Sequence, residues 1–206
     1  MRIRTILTAV LAAGAVSTSI IATTPERGTA DTPWATAPLR TADGTRIGTV
    51  YFATDGARTA ITVRIPRATN VAPNAFHAMH IHANDVTTNG DGCVADATQP
   101  STSWFVSADG HWKRDAAELH GNHAGDLPSV YVNANGTTQT RYVIDKLTPS
   151  EVVGRAVILH AGRDNFGNVP VGAADDQYTP GLTAAAKTQG TGNAGDRFAC
   201  GLVSMN

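Results

Sequence analysis

Apolar and polar positions alternate in short runs along most of the chain, and Gly, Asn and Asp interrupt the runs before any helical stripe develops. A period of two reads as strands burying one face, because successive side chains leave a strand on opposite sides. The runs are "WATAPLRT", "RIGTVYFAT", "RTAITVRI", "NAFHAMHIHA", "SVYVNA", "TQTRYVID", "RAVILHA" and "RFACGLVSM". The turn "ADGT" separates the first two, Asp55–Gly56 the second and third, and Asn135–Gly136 the fifth and sixth. Steps of the Asp-Gly or Asn-Gly type suit tight hairpins, so Asn135 is read as a turn residue. About eight short strands at this spacing predict an all-β sandwich or barrel. One helical turn is expected at "TPSEVV", where Thr148 can cap with Glu151 three residues on.

Two stretches do not fit a hairpin protein. Residues 84–128 and 161–196 are polar, irregular and rich in Gly, Asp, Asn and Thr. Long loops inside a compact domain usually carry function, and both are read that way.

The start of the chain changes the compartment. Arg2 and Arg4 precede an apolar run from Ile6 to about Ile21, followed by small residues up to "GTADT". This is the pattern of a secretory signal peptide over residues 1–30, cleaved somewhere between about Ala22 and Ala30. The run is too weak for a membrane span. Residues 31–206 remain as one domain, long enough to bury a substantial core. Removing residues 1–30 takes away Arg2, Arg4, Arg27 and Glu26, so the formal charge of −1 becomes −3. That balance argues against a nucleic-acid partner, which calls for a basic stripe. It leaves room for a small anionic substrate drawn by local positive charge. An exported chain with only two cysteines, Cys93 and Cys200, is expected to join them. Closing a loop of about 107 residues contributes about 4–5 kcal/mol on a chain-entropy account.

The chemistry lies in the histidines. All seven fall between residues 77 and 160. In "AFHAMHIHAN" (75–84) a strand puts His80 and His82 on one face, with Ile81 and His77 opposite. His160 ends the apolar run "AVILH", at the exit of a strand. His111 sits in the turn "ADGHW", and His120, His123 and Asp126 follow in "HGNHAGDLP". Three or four histidines without cysteine suit a redox copper, whereas histidines with one carboxylate suit a tetrahedral zinc. The sequence supplies material for both.

These segments, in this order, resemble the copper/zinc superoxide dismutases, and most of all the exported actinobacterial forms. "FHAMHIH" is similar to the family's F-H-x-x-H-x-H strand, "DGHW" to the segment of the bridging histidine, and "HAGDLP" to the end of the zinc loop. "ILHAGRDNFGN" resembles the last copper-ligand segment, and "TGNAGDRFACGLV" the C-terminal signature. The resemblance implies an eight-stranded Greek-key β-barrel, immunoglobulin-like, with two long functional loops. It implies a secreted or cell-envelope enzyme that converts superoxide to dioxygen and hydrogen peroxide, with copper and zinc as cofactors. Family members occur as monomers and dimers, so a homodimer stays open.

By the resemblance His80, His82, His111 and His160 hold copper. His111 is shared with zinc, whose other ligands are His120, His123 and Asp126. Arg197 stands beside the copper channel, where a guanidinium attracts and orients superoxide. Asp164 is the carboxylate that ties the two metal sites together. His77 has a structural role, bonding to backbone or a loop. One departure matters. The family spaces the two later zinc histidines well apart, whereas His120 and His123 are three residues apart in a shortened loop. An exported copper-binding protein of the same fold with little turnover is the alternative this departure raises.

Overall fold

The computed structural model describes residues 33–164, 192 and 194–206. The expected signal peptide and most of the second long loop lie outside the described residues. Nine strands are present among the described residues: β1 (Ala35–Thr41), β2 (Arg46–Asp55), β3 (Arg58–Ile65), β4 (Ala75–His82), β5 (Asp126–Val132), β6 (Thr138–Ile144), β7 (Ala156–Asp164), β8 (Arg197–Leu202) and β9 (Ser204–Met205). The eight long ones match the eight runs. The last run breaks at Val203, and β9 adds two residues against β1.

The strands form one antiparallel path in the order β5-β4-β7-β8-β1-β2-β3-β6. β1–β2 and β2–β3 are hairpins of neighbours, and Asp55 faces Arg58 across the Asp-Gly turn. The β3–β6 and β4–β7 pairings join strands distant in sequence, which is the Greek-key crossover. The path almost closes on itself as a barrel. Its ends, β5 and β6, are linked by the Asn-Gly turn, where Gly136 N–H donates to Asn133 O and Asn133 N–H to Thr137 O. The two strands then part, β5 to β4 and β6 to β3. The expected short helix is a 3-10 turn over Pro149–Val152. The Glu151 carboxylate accepts from the Thr148 N–H at 2.7 Å and from its hydroxyl at 2.9 Å.

Alternation decides which side chains fill the barrel. Leu39, Phe52, Ile61, Met79, Ile81, Val130 and Leu159 point inward and are completely buried. On β7 the outer face is covered as well, and Ile158 is fully buried there. It packs with Phe105, Ala108, Ala156 and Cys200 in a second, smaller cluster. The first long loop therefore lies against the outer face of β4, β7 and β8. The Cys93–Cys200 disulfide, with a Cα–Cα distance of 5.5 Å, fastens it there. The loop ends sooner than its sequence indicates, because Asp126 already pairs with His80 as the first residue of β5.

Candidate metal centre

Because Met79 and Ile81 face the core, His80 and His82 face outward, under the loop. His160 is next to them on the paired strand β7, on the same outer face as Ile158. Three register shifts fall at this level: between His77 and Met79 on both sides of β4, and between Leu159 and His160 on β7. Bulges re-aim side chains and increase local twist, and here they surround the histidines.

The loop delivers the rest through Ile81. The Ile81 N–H donates to Gly125 O at 2.8 Å, its carbonyl accepts from the Trp112 N–H at 2.8 Å, and the Gly125 N–H donates to Trp112 O at 2.9 Å. His111 and Asp126 are thereby held side by side along the edge of β4 that β7 does not occupy. A Cβ on Gly125 would lie 2.1 Å from Ile81 O, so this close approach requires glycine. Trp112 is buried between two guanidiniums, with Arg155 4.2 Å and Arg114 5.0 Å from its ring centre.

Four imidazoles converge. The rings of His80 and His111 are 3.9 Å apart, His80 and His160 4.8 Å, and His82 and His111 5.0 Å. Ligating atoms of His80, His82, His111 and His160 all lie within 4.8 Å of one another. Hydrogen bonding fixes which nitrogen three of the rings offer. His82 Nδ1 faces Asp109 O at 2.8 Å, His160 Nδ1 faces Gly195 O at 3.1 Å, and His111 Nδ1 faces Asp126 Oδ1 at 2.9 Å. Each acceptor is an oxygen, so in the metal-free protein Nδ1 carries the proton and Nε2 keeps its lone pair. Among the described residues, the Nε2 atoms of His82, His111 and His160, and Nδ1 of His80, are buried with no partner. Burial forbids these rings a second proton. It holds His80, His82 and His111 below the ordinary histidine range, and His160 at about 4. Three bare lone pairs and the unpartnered His80 nitrogen facing one another are unfavourable unless a cation sits among them. Copper fits that donor set.

A second set lies on the other edge of His111. Asp126 Oδ1 is 2.9 Å from His111 Nδ1, 3.3 Å from His123 Nδ1 and 3.4 Å from His120 Nδ1, and the His111 and His123 Nδ1 atoms are 3.2 Å apart. A tetrahedron with zinc–nitrogen bonds of about 2.0–2.1 Å has edges of about 3.3 Å. The spacing fits zinc. His123 Nε2 sits 3.1 Å from Glu118 O, which leaves its Nδ1 free to ligate. His80 also borders this group, within 4.8 Å of the ligating atoms of His111, His120 and Asp126. His123, by its contacts with His111 and Asp126, and His80 are therefore both at hand to complete the set. The Asp126 carboxyl, raised by burial, is brought far below the usual carboxylate range by hydrogen bonds and charge from His111 and His120. His120, the doubtful residue of the shortened loop, is therefore brought to the set.

Arg197 opens β8 directly across from His160, and its two terminal nitrogens donate to the backbone carbonyls of Phe105 and Asp109. Asp164, at the end of β7, accepts the Ser129 hydroxyl at 2.5 Å, a contact with β5. His77 is buried, its ring nitrogens 3.1 and 2.8 Å from His160 O and Ala72 O, away from the cluster. The sequence reading missed Asp109, Gly195 and Glu118, which act through carbonyl oxygens, and a carbonyl has no side-chain signature. Only the Asp-Gly step before His111 marked one of them.

Comparison with known proteins gives one consistent result. Residues 46–203 match the family model of copper/zinc superoxide dismutase. The chain is 32% identical over 186 residues to "Superoxide dismutase [Cu-Zn]" of Mycolicibacterium paratuberculosis, covering 86% of this chain and 77% of that protein. It is 33% identical over 173 residues to "Superoxide dismutase [Cu-Zn] 2" of Brassica juncea, covering 82% and 95%. The solved Cu/Zn superoxide dismutase from Brucella abortus shares the fold, with a TM-score of 0.58 at 22% identity over 82% of this chain and 99% of that one.

Proposed function

The chain belongs to the copper/zinc superoxide dismutase family, and on that footing we propose how its residues divide the work. The activity is the dismutation of superoxide: two superoxide anions and two protons give dioxygen and hydrogen peroxide. His80, His82, His111 and His160 would hold copper, which would supply the one-electron reduction and oxidation that the reaction needs. His111, His120, His123 and Asp126 would hold zinc. His111 belongs to both sets because its Nε2 faces one, and its Nδ1, on giving up the proton it donates to Asp126, would face the other. Its ring is the group able to hold a proton at Nε2 beside the reacting anion. Arg197 supplies a fixed positive charge at the same place, and its backbone bonds keep the guanidinium from swinging away. Cys93–Cys200 and the loop clusters around it exclude water from the histidines' outer side. A disulfide of this kind persists in oxidising surroundings, which supports work outside the cytoplasm.

The observation that carries this reading is the set of four buried, unpartnered imidazole nitrogens within reach of one another. It is tested by loading the protein with both metals and counting each per chain, in the wild type and in His160→Ala. The wild type should hold about one copper and one zinc. The variant should lose copper while keeping zinc. Full copper in His160→Ala would show the ligand set to be wrong. Copper without zinc in the wild type would remove His120, His123 and Asp126 from their role.

A further inference from the structure

Asp109 sits at φ 66°, ψ −158°. Only glycine enters that region freely, and a residue with a Cβ stays there only when its surroundings over-determine it. Three contacts do so. The Asp109 carboxylate accepts the Asp85 N–H at 2.7 Å, the Val86 N–H at 2.9 Å and the Asn89 side-chain N–H at 2.5 Å. The backbone held in this way turns the Asp109 carbonyl oxygen to two groups at once. It accepts from His82 Nδ1 at 2.8 Å and from the Arg197 guanidinium. One peptide oxygen thus fixes the tautomer of a copper-set histidine and one anchor of the substrate-facing arginine.

We propose that Asp109 is a positioning residue: its carboxylate, tied to residues 85–89, holds an otherwise unfavourable backbone so that one carbonyl oxygen sets both His82 and Arg197. This extends the assignments of His82 and Arg197 made above and rests on them. A glycine would adopt the same φ and ψ without strain but would not be held in them. Loss of the carboxylate is therefore expected to matter even where strain is relieved.

The test compares Asp109→Gly and Asp109→Asn with the wild type. Asparagine keeps an acceptor for the two backbone N–H groups, and Asn89 can turn its amide to meet it. Three quantities are read: copper affinity, the EPR spectrum of the copper(II)-loaded protein, and the ¹⁵N resonance of the Arg197 side chain in metal-free protein. Asp109→Gly should lower copper affinity about tenfold, as expected when a ligand's supporting bond is lost. It should also shift the EPR spectrum and move the Arg197 resonance toward that of a free guanidinium. Asp109→Asn should restore all three to near wild type. Asn89→Ala, which leaves the strained residue intact, should shift them part of the way in the same direction. Should either glycine or alanine variant fold poorly, the other still decides. Unchanged spectra and affinity in these variants, with faster hydrogen exchange at residues 85–89, would leave Asp109 as a loop fastener only and overturn the proposal. A wild type with no histidine-nitrogen copper spectrum would instead overturn the ligand assignment on which it rests.

Discussion

A neutral imidazole has one N–H and one lone pair, and at His82, His111 and His160 the N–H is committed to an oxygen, which points the lone pair inward. The consequence for stability has a definite sign. Burial holds the folded His160 at about 4, whereas the unfolded chain titrates near 6.5. Between these values the unfolded state binds the extra proton, so stability is full above about pH 6.5 and falls as pH drops toward 4. His160 alone accounts for about 3 kcal/mol of that fall, and His80, His82 and His111 act in the same direction. The melting temperature of the metal-free protein should therefore decrease steeply from pH 7 to pH 4.5, and a flat profile would contradict the neutral cluster. Arg197 makes a separate prediction. Arg197→Ala should slow dismutation and weaken its dependence on ionic strength while copper stays bound, because a screened charge is what the salt acts on. Kinetics and salt response equal to the wild type would remove its role.

At the scale of elements, the alternation of apolar residues exposed the strands well. β1, β2, β3, β4 and β6 lie where the runs lie, since the apolar positions that mark them are the ones that fill the barrel. Two features were not legible. β5 begins at Asp126, three residues before its apolar run, because His80 provides a backbone partner that no local pattern announces. The Asn-Gly turn joins β5 to β6 without pairing them along their length, because each finds its ladder on another strand. The histidines themselves were legible, since ligands must be particular side chains. The carbonyls of Asp109, Gly195 and Glu118 were not, since any residue supplies one. The three-way contact of Ile81, Trp112 and Gly125 belongs to the same class, visible only once folded, and it yields a prediction. Gly125→Ala brings a Cβ against Ile81 O and should cost about 1–3 kcal/mol. It displaces His111 and Asp126 together, so zinc content should fall before copper content. Equal loss of both metals, or loss of neither, would contradict that geometry.

At the scale of the whole molecule, the barrel is a rigid wall and the site is built on its outside. The inward faces of β4 and β7 anchor the strands through Met79, Ile81 and Leu159, and the outward faces carry His80, His82 and His160. The loop of residues 83–125 closes over them, fastened at Cys93–Cys200 and by the Ile158 cluster. Two donor sets sharing His111 follow from this single arrangement, one of nitrogens alone and one including the Asp126 carboxylate. The most direct measurement is anomalous diffraction from crystals of the metal-loaded protein, recorded at the copper and zinc absorption edges. A copper peak bounded by His80, His82, His111 and His160 is predicted, with a separate zinc peak bounded by His111, His120, His123 and Asp126. A single peak, or a copper peak away from the four imidazoles, would contradict the account.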